Sequence, residues 1–269
     1  MQPRPGPERV SRRRFLLGGG AFASLLVAGC GSADVSSGDG RMSPQRRTSS
    51  PPPPEPGLQR LGDPAEDLGL LYVPRRLHDE PTPLMICFHG ASGSASGGMR
   101  LFRRYADDLG LVLAAPQSLG ADWDLVISGG FGADVPRIAR AMDWLTARFR
   151  IDAAHLASAG FSDGASYSLS FGLSNGDLFS HVIALSPGFF APGELTGHPQ
   201  VFVAHGTEDR VLPIDRASRV IVPQLRDAGY DVTYVEFDGR HHPDLPVTRR
   251  AVDWFFGLDA SEPGTGPIA

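Results

Sequence analysis

The sequence predicts an α/β fold, a mostly parallel central sheet with helices on both faces. Three observations lead there. Short apolar runs alternate with segments of helical spacing from residue 68 onward. The runs are apolar at successive positions, as strands buried on both faces must be. The stretches rich in Gly, His, Ser and Asp fall just beyond the carboxyl ends of those runs, where open parallel sheets place their sites.

Taken in order, Leu68–Val73 and Leu84–Phe88 are strand candidates, and Leu101–Leu109 reads as a helix. Leu111–Ala115 is a strand, followed by a loop holding Trp123 and Phe131. Across Val135–Phe149 the residues Ile138, Met142, Leu145 and Phe149 share one helical face. Asp134 stands at the N-cap position, with Pro136 in the first turn. His155–Ala159 is a short strand, and Ala165–Phe171 begins the next helix. Val182–Leu185 and Gln200–Ala204 are strands, Ser218–Ala228 is a helix closed by Gly229, Val232–Phe237 is a strand, and Val247–Phe256 is the last helix. The sequence has no internal repeat.

With 269 residues, 41% of them apolar, the chain has enough material for one core, assigned to residues 58–260. The N-terminus reads differently. Ser11-Arg12-Arg13-Arg14-Phe15-Leu16 resembles the twin-arginine export motif. The apolar run Phe15–Ala28 has 14 residues. That is short of the roughly 20 needed to span a bilayer, but it suits the apolar region of a signal peptide. It ends in Leu26-Val27-Ala28-Gly29-Cys30, which resembles a bacterial lipobox. The resemblance implies a signal peptide over residues 1–29, cleavage before Cys30, and a lipid on its thiol. It places the protein in the cell envelope, on the periplasmic or extracellular face. A cleaved signal without lipid and an ordinary amphipathic segment are the plainer alternatives. Residues 30–57, rich in Ser, Gly and Pro, read as a disordered tether, and 261–269 as a flexible tail.

Only two cysteines occur, and Cys87 lies in the apolar run Leu84–Phe88, which suits a buried, inert thiol rather than a disulfide or a nucleophile. All 25 basic residues are arginine, and the net charge is −5. Without residues 1–29 there are 20 arginines against 29 acids, a net of −9. An acidic domain argues against nucleic-acid partners and against adsorption to anionic lipid.

The chemistry centres on Gly160-Phe161-Ser162-Asp163-Gly164, which fits the G-x-S-x-G nucleophile elbow. In a chain with 33 glycines the pentapeptide alone is weak. The strand before it and the helix after it supply the context the motif needs. His205-Gly206-Thr207-Glu208-Asp209 places a carboxylate beyond the next strand but one, and Asp238-Gly239-Arg240-His241-His242 places imidazoles beyond the last. Nucleophilic acyl transfer needs a hydroxyl, a base, an acid that orients the base, and donors for the oxyanion. Ser162, His241 and Asp209 occur in the chain order Ser, Asp, His. Glu208 is the rival acid and His242 the rival base.

His89-Gly90-Ala91-Ser92-Gly93, directly after Leu84–Phe88, is similar to an H-G oxyanion motif. Residues 68–257 thereby resemble α/β-hydrolases of the phospholipase/carboxylesterase or polyhydroxybutyrate-depolymerase-like esterase group, through the H-G, G-F-S-x-G, H-G-T-x-D and G-x-H motifs in order. The resemblance implies an α/β-hydrolase fold, a Ser162–Asp209–His241 triad with His241 as the base, and the backbone N–H groups of Ala91 and Asp163 as oxyanion donors. Many relatives carry an uncharged residue where this chain has Asp163. Its carboxylate is either a helix-start residue favoured by the dipole or a feature that disfavours anionic substrates.

Pro187–Pro199 spans 13 residues, too few for a large cap domain. An open pocket follows, with Trp123, Phe131, Phe189 and Phe190 as lining candidates that packing would equally explain. No Cys, His or Asp cluster has metal-ligand spacing, and no cofactor is implied. The expected activity is hydrolysis of small-molecule or polymeric carboxylic esters through an acyl-serine. A peptidase, a thioesterase, or an inactive envelope-binding lipoprotein on the same fold are the alternatives. Oligomeric state is not readable from the sequence.

Overall fold

The computed structural model describes residues 38–42, 51–77 and 80–258. The signal peptide, Cys30 and the 261–269 tail lie outside these residues. Strands β1 (Gly57–Leu61), β2 (Gly69–Val73), β3 (Thr82–Phe88), β4 (Val112–Pro116), β5 (Ile151–Phe161), β6 (His181–Leu185), β7 (Gln200–Gly206) and β8 (Val232–Phe237) form one sheet in the order β1-β2-β4-β3-β5-β6-β7-β8. From β4 to β8 all neighbours run parallel, and β2 and β1 add an antiparallel edge.

Residue alternation along the central strands divides the core. In β3, Leu84, Ile86 and Phe88 pack on one face with Ile138, Met142 and Leu145 of α4 (Asp134–Thr146) and Tyr167 and Phe171 of α5 (Asp163–Ser174). Met85 and Cys87 point to the opposite face. There they meet Met99 of α1 (Ala95–Arg100), Ala106 of α2 (Arg103–Leu109) and Val252 of α7 (Leu245–Phe255). A third cluster joins α5 to Ile221 and Leu225 of α6 (Ser218–Asp227) over β6 and β7. Continuous apolar strands thus bury both faces, the arrangement their composition predicts. Burial pushes the Cys87 thiol far above its ordinary range, so it stays protonated.

Four elements escape the sequence reading: β1, α1, α3 (Asp124–Ser128) and the 3-10 turn Ile214–Arg216. Asp134 is also not a cap, because Ala133 holds that position without a side-chain bond. The Asp134 carboxylate instead accepts from the N–H groups of Leu119 (2.9 Å) and Asp124 (2.8 Å), bracing the loop after β4.

The tether reading of residues 30–57 needs correction at Gly57, which begins β1, and over Gly38–Met42. Gly38–Met42 lie against the domain, with Gly38 in a β-bridge to Phe131. Arg41 grips both carboxylate oxygens of Asp177 (2.8 and 3.0 Å), the Ser174 carbonyl (3.0 Å) and the Thr196 hydroxyl (2.7 Å). The buried Asn175 amide accepts from Met42 N–H and donates to the Gly40 carbonyl, both at 2.8 Å. Met42 is 7% exposed and joins the α4–α5 core. Such a specific clasp offsets the ordering entropy that composition alone suggests the segment cannot meet. Met42→Ala is expected to cost about 2 kcal/mol, read as a lowered urea midpoint. An unchanged midpoint would mean the clasp does not form in solution.

Candidate active site

Ser162 links β5 to α5 with φ 57° and ψ −125°, a strained conformation for a residue with a Cβ. The two flanking glycines are required by crowding. A Cβ on Gly160 would collide with the Gly164 carbonyl, and one on Gly164 with the carbonyls of Phe88 and His89. The turn is pinned by Ser162 N–H to the Leu185 carbonyl (3.0 Å), while the Ser162 carbonyl accepts from Ala165 N–H (2.9 Å) and Ser166 N–H (3.1 Å). The hydroxyl is thereby held over the N-terminal end of α5.

His241 lies on the loop after β8. Its Nε2 is 2.9 Å from Ser162 Oγ, and its Nδ1 is 2.6 Å from Asp209 Oδ2. Its ring packs against Phe161, with centroids 4.9 Å apart. The other Asp209 oxygen accepts from Val211 N–H (2.9 Å) and Leu212 N–H (2.8 Å). Burial pushes the Asp209 carboxyl up, but the His241 bond and these N–H donors outweigh it and hold it below its ordinary value. It is therefore an anion at neutral pH, aimed at a ring whose other nitrogen faces the serine. The rivals are elsewhere. Glu208 is exposed, and His242 lines a groove with Arg100, Arg103 and Arg104.

The loop after β3 closes against the same serine. A Cβ on Gly90 would stand 3.3 Å from Ser162 Cβ. Gly93 N–H bonds the Gly90 carbonyl (3.0 Å), making the tight turn that contains Ala91 and the positive-φ Ser92. Among the described residues no backbone carbonyl takes the N–H of Ala91 or of Asp163. His89 shapes this turn. Its Nε2 faces the N–H of Ser118 (3.4 Å), so Nδ1 donates to the Gly90 carbonyl (2.9 Å).

The four pocket candidates separate. Trp123 is fully buried, stacks near His89 and Tyr167, and donates Nε1–H to the His89 carbonyl (2.8 Å). Phe131 is 3% exposed and packs on Tyr167 and Phe171. Both are core residues, and Trp123 supports the Gly90–Gly93 turn from behind. Phe189 and Phe190 are half-buried on the loop after β6, which Ser166 Oγ holds through Gly188 N–H (2.9 Å). No helix interrupts residues 186–199.

Asp163 has a neighbour that sequence spacing does not reveal. Burial, then a hydrogen bond with Asp122 and its charge, raise the Asp163 carboxyl to about 6. Raised above its unfolded value, this group weakens the fold once pH exceeds its unfolded pKa, with the full penalty above about 6. Asp163→Asn is expected to stabilise by about 1–2 kcal/mol at pH 8 and not at pH 4, after discounting for partial exposure. Urea melts at the two pH values check this, and equal gains at both would contradict the pairing. Among the described residues no group of three potential ligands could hold a metal ion.

No protein-family model matches the sequence, and no curated protein matches it. Solved structures do. Esterase PE8 is 21% identical with a TM-score of 0.58, over 71% of this chain and 98% of that one. A thermostable esterase is 21% identical with a TM-score of 0.59, over 72% and 60%. S-formylglutathione hydrolase from Staphylococcus aureus is 16% identical with a TM-score of 0.59, over 76% and 98%. With its eight-stranded, mostly parallel sheet, the chain has the α/β-hydrolase fold.

Proposed function

We propose that this chain is a serine hydrolase that cleaves carboxylic esters through an acyl-Ser162 intermediate. The observation that carries the reading is the unbroken chain from Ser162 Oγ through His241 to Asp209, at 2.9 and 2.6 Å, on a strained elbow. His241 Nε2 takes the serine proton as Oγ attacks the ester carbonyl, and Asp209 holds the Nδ1–H tautomer and stabilises the imidazolium. The N–H groups of Ala91 and Asp163 receive the oxyanion. His241 then protonates the departing alcohol, and it activates the water that frees the acyl group. No cofactor enters this scheme.

The presence of esterases among the structural neighbours supports an ester substrate, and the uninterrupted loop 186–199 supports an open site for a small or polymeric one. Rates on p-nitrophenyl esters of increasing acyl length, set against peptide and thioester substrates, test this. The expected order is ester first, and preference for a peptide or a thioester would move the protein to that class. Hydrolysis of none of them would favour a binding lipoprotein.

We further propose that the chain is exported and anchored by lipid on Cys30, from the twin-arginine-like and lipobox-like residues of the N-terminus. Cys30→Ser is expected to release it from the membrane fraction, and unchanged fractionation would argue against the anchor.

A further inference from the structure

We propose that His205 is a positioning residue for this reaction, a second imidazole that clamps the Asp209 turn and shares the Asp209 carboxylate with His241. The inference rests on the triad reading above.

His205, in β7, has a side chain with no solvent exposure. Its Nε2 lies 2.8 Å from the Leu212 carbonyl. A carbonyl only accepts, so Nε2 carries the hydrogen. Its Nδ1 lies 2.6 Å from the Ser218 hydroxyl, which must then donate to it. The ring is thereby set as one neutral tautomer, and burial, which lowers its basicity, keeps it so. The same Nε2–H stands 3.2 Å from Asp209 Oδ2, the oxygen that His241 Nδ1 uses. Leu212 closes the knot, since its N–H bonds Asp209 Oδ1 (2.8 Å) while its carbonyl takes His205.

The Asp209 carboxylate therefore accepts from two backbone N–H groups on Oδ1 and from His241 on Oδ2, with His205 Nε2 as a second imidazole contact at 3.2 Å on that same oxygen. The other acid facing His205 is Glu236 of β8, its register partner. Glu236 is held by Arg219 (2.9 and 2.6 Å) and by the Tyr234 hydroxyl (2.9 Å), and so is not free to take the ring. His205 thus fixes where Oδ2 points and draws part of its charge away from His241.

Removing the His205 donor leaves more of that charge for the protonated base, so the acid limb of the kcat/KM profile should move to higher pH. His205→Leu is expected to lower kcat about 10- to 100-fold, with little change in KM, and to raise the acid limb by about half a unit. His205→Gln, whose amide N–H sits where Nε2–H does, should recover most of both. A folded His205→Leu with the wild-type profile, or a Gln variant that recovers nothing, would overturn the proposal.

Because a buried substitution threatens folding, wild-type protein with 15N-labelled histidine supplies a second measurement. One neutral imidazole should keep its hydrogen on Nε2 throughout pH 5–8, and an Nδ1–H or charged ring at His205 would overturn the assignment. Wild-type protein that hydrolyses nothing would instead count against the hydrolase reading, and the tautomer measurement would still decide this one.

Discussion

Ser162→Ala is expected to lower kcat for ester hydrolysis by about 10,000-fold or more, with the fold intact. The size of the effect follows from position. Ser162 is 8% exposed, bonded to His241, and held at φ 57° by a turn whose glycines tolerate no side chain. Ser166, one turn along α5, does not replace it. Ser166 Oγ is buried under the loop after β6, where it accepts from Gly188 N–H. Alanine removes only an oxygen, and it relieves no strain because its own Cβ stays at positive φ. Urea melts of the variant should therefore resemble wild type, separating lost chemistry from lost structure. Activity within tenfold of wild type would assign the reaction to another residue.

Asp209→Asn is expected to lower kcat by roughly 1,000- to 10,000-fold, through tautomer rather than shape. The Val211 and Leu212 N–H groups demand an acceptor at Oδ1, so the new amide must turn its oxygen to them and its NH2 toward His241. That NH2 donates to Nδ1, and the ring's hydrogen then moves to Nε2, where it faces Ser162 and cannot take a proton. The same NH2 also stands against the His205 Nε2–H, so two donors face each other where the wild type has a donor and an acceptor. Nitrogen shifts of labelled histidine should show His241 moving from the Nδ1–H to the Nε2–H form. A variant with near-normal kcat, or with the wild-type tautomer, would contradict the role assigned to Asp209.

The local patterns were legible where physics is local. The apolar runs that became β3, β5, β6 and β7 had to be buried on both faces, and the glycines around Ser162 announced a turn with no room. What the pattern could not carry was pairing between distant segments. Gly38–Met42 reads as linker because its composition is polar, and only the fold brings Asn175 and Asp177 to it. Trp123 and Phe131 suggested a pocket because they follow a strand end, yet Phe88 and Tyr167 claim their faces for the core. β1 escaped because its sequence, Gly57-Leu58-Gln59-Arg60-Leu61, alternates at a sheet edge and fully buries only its last residue.

Asp163 and His205 show the same limit at the site itself. Each was visible as a letter beside a motif, but Asp163 takes its character from burial and from Asp122, and His205 from Leu212 and Ser218. The raised carboxyl of Asp163 bears on substrate choice. Above about pH 6 Asp163 gains negative charge one residue from Ser162, so anionic esters should lose ground to neutral ones as pH rises.

Whether Ser162 is the nucleophile of an acyl-transfer site can be read from reaction with a fluorophosphonate probe followed by mass mapping of the adduct. One adduct per folded chain is expected, located on Ser162 and absent in Ser162→Ala. An unlabelled wild-type protein, or a label that persists in Ser162→Ala, would contradict it.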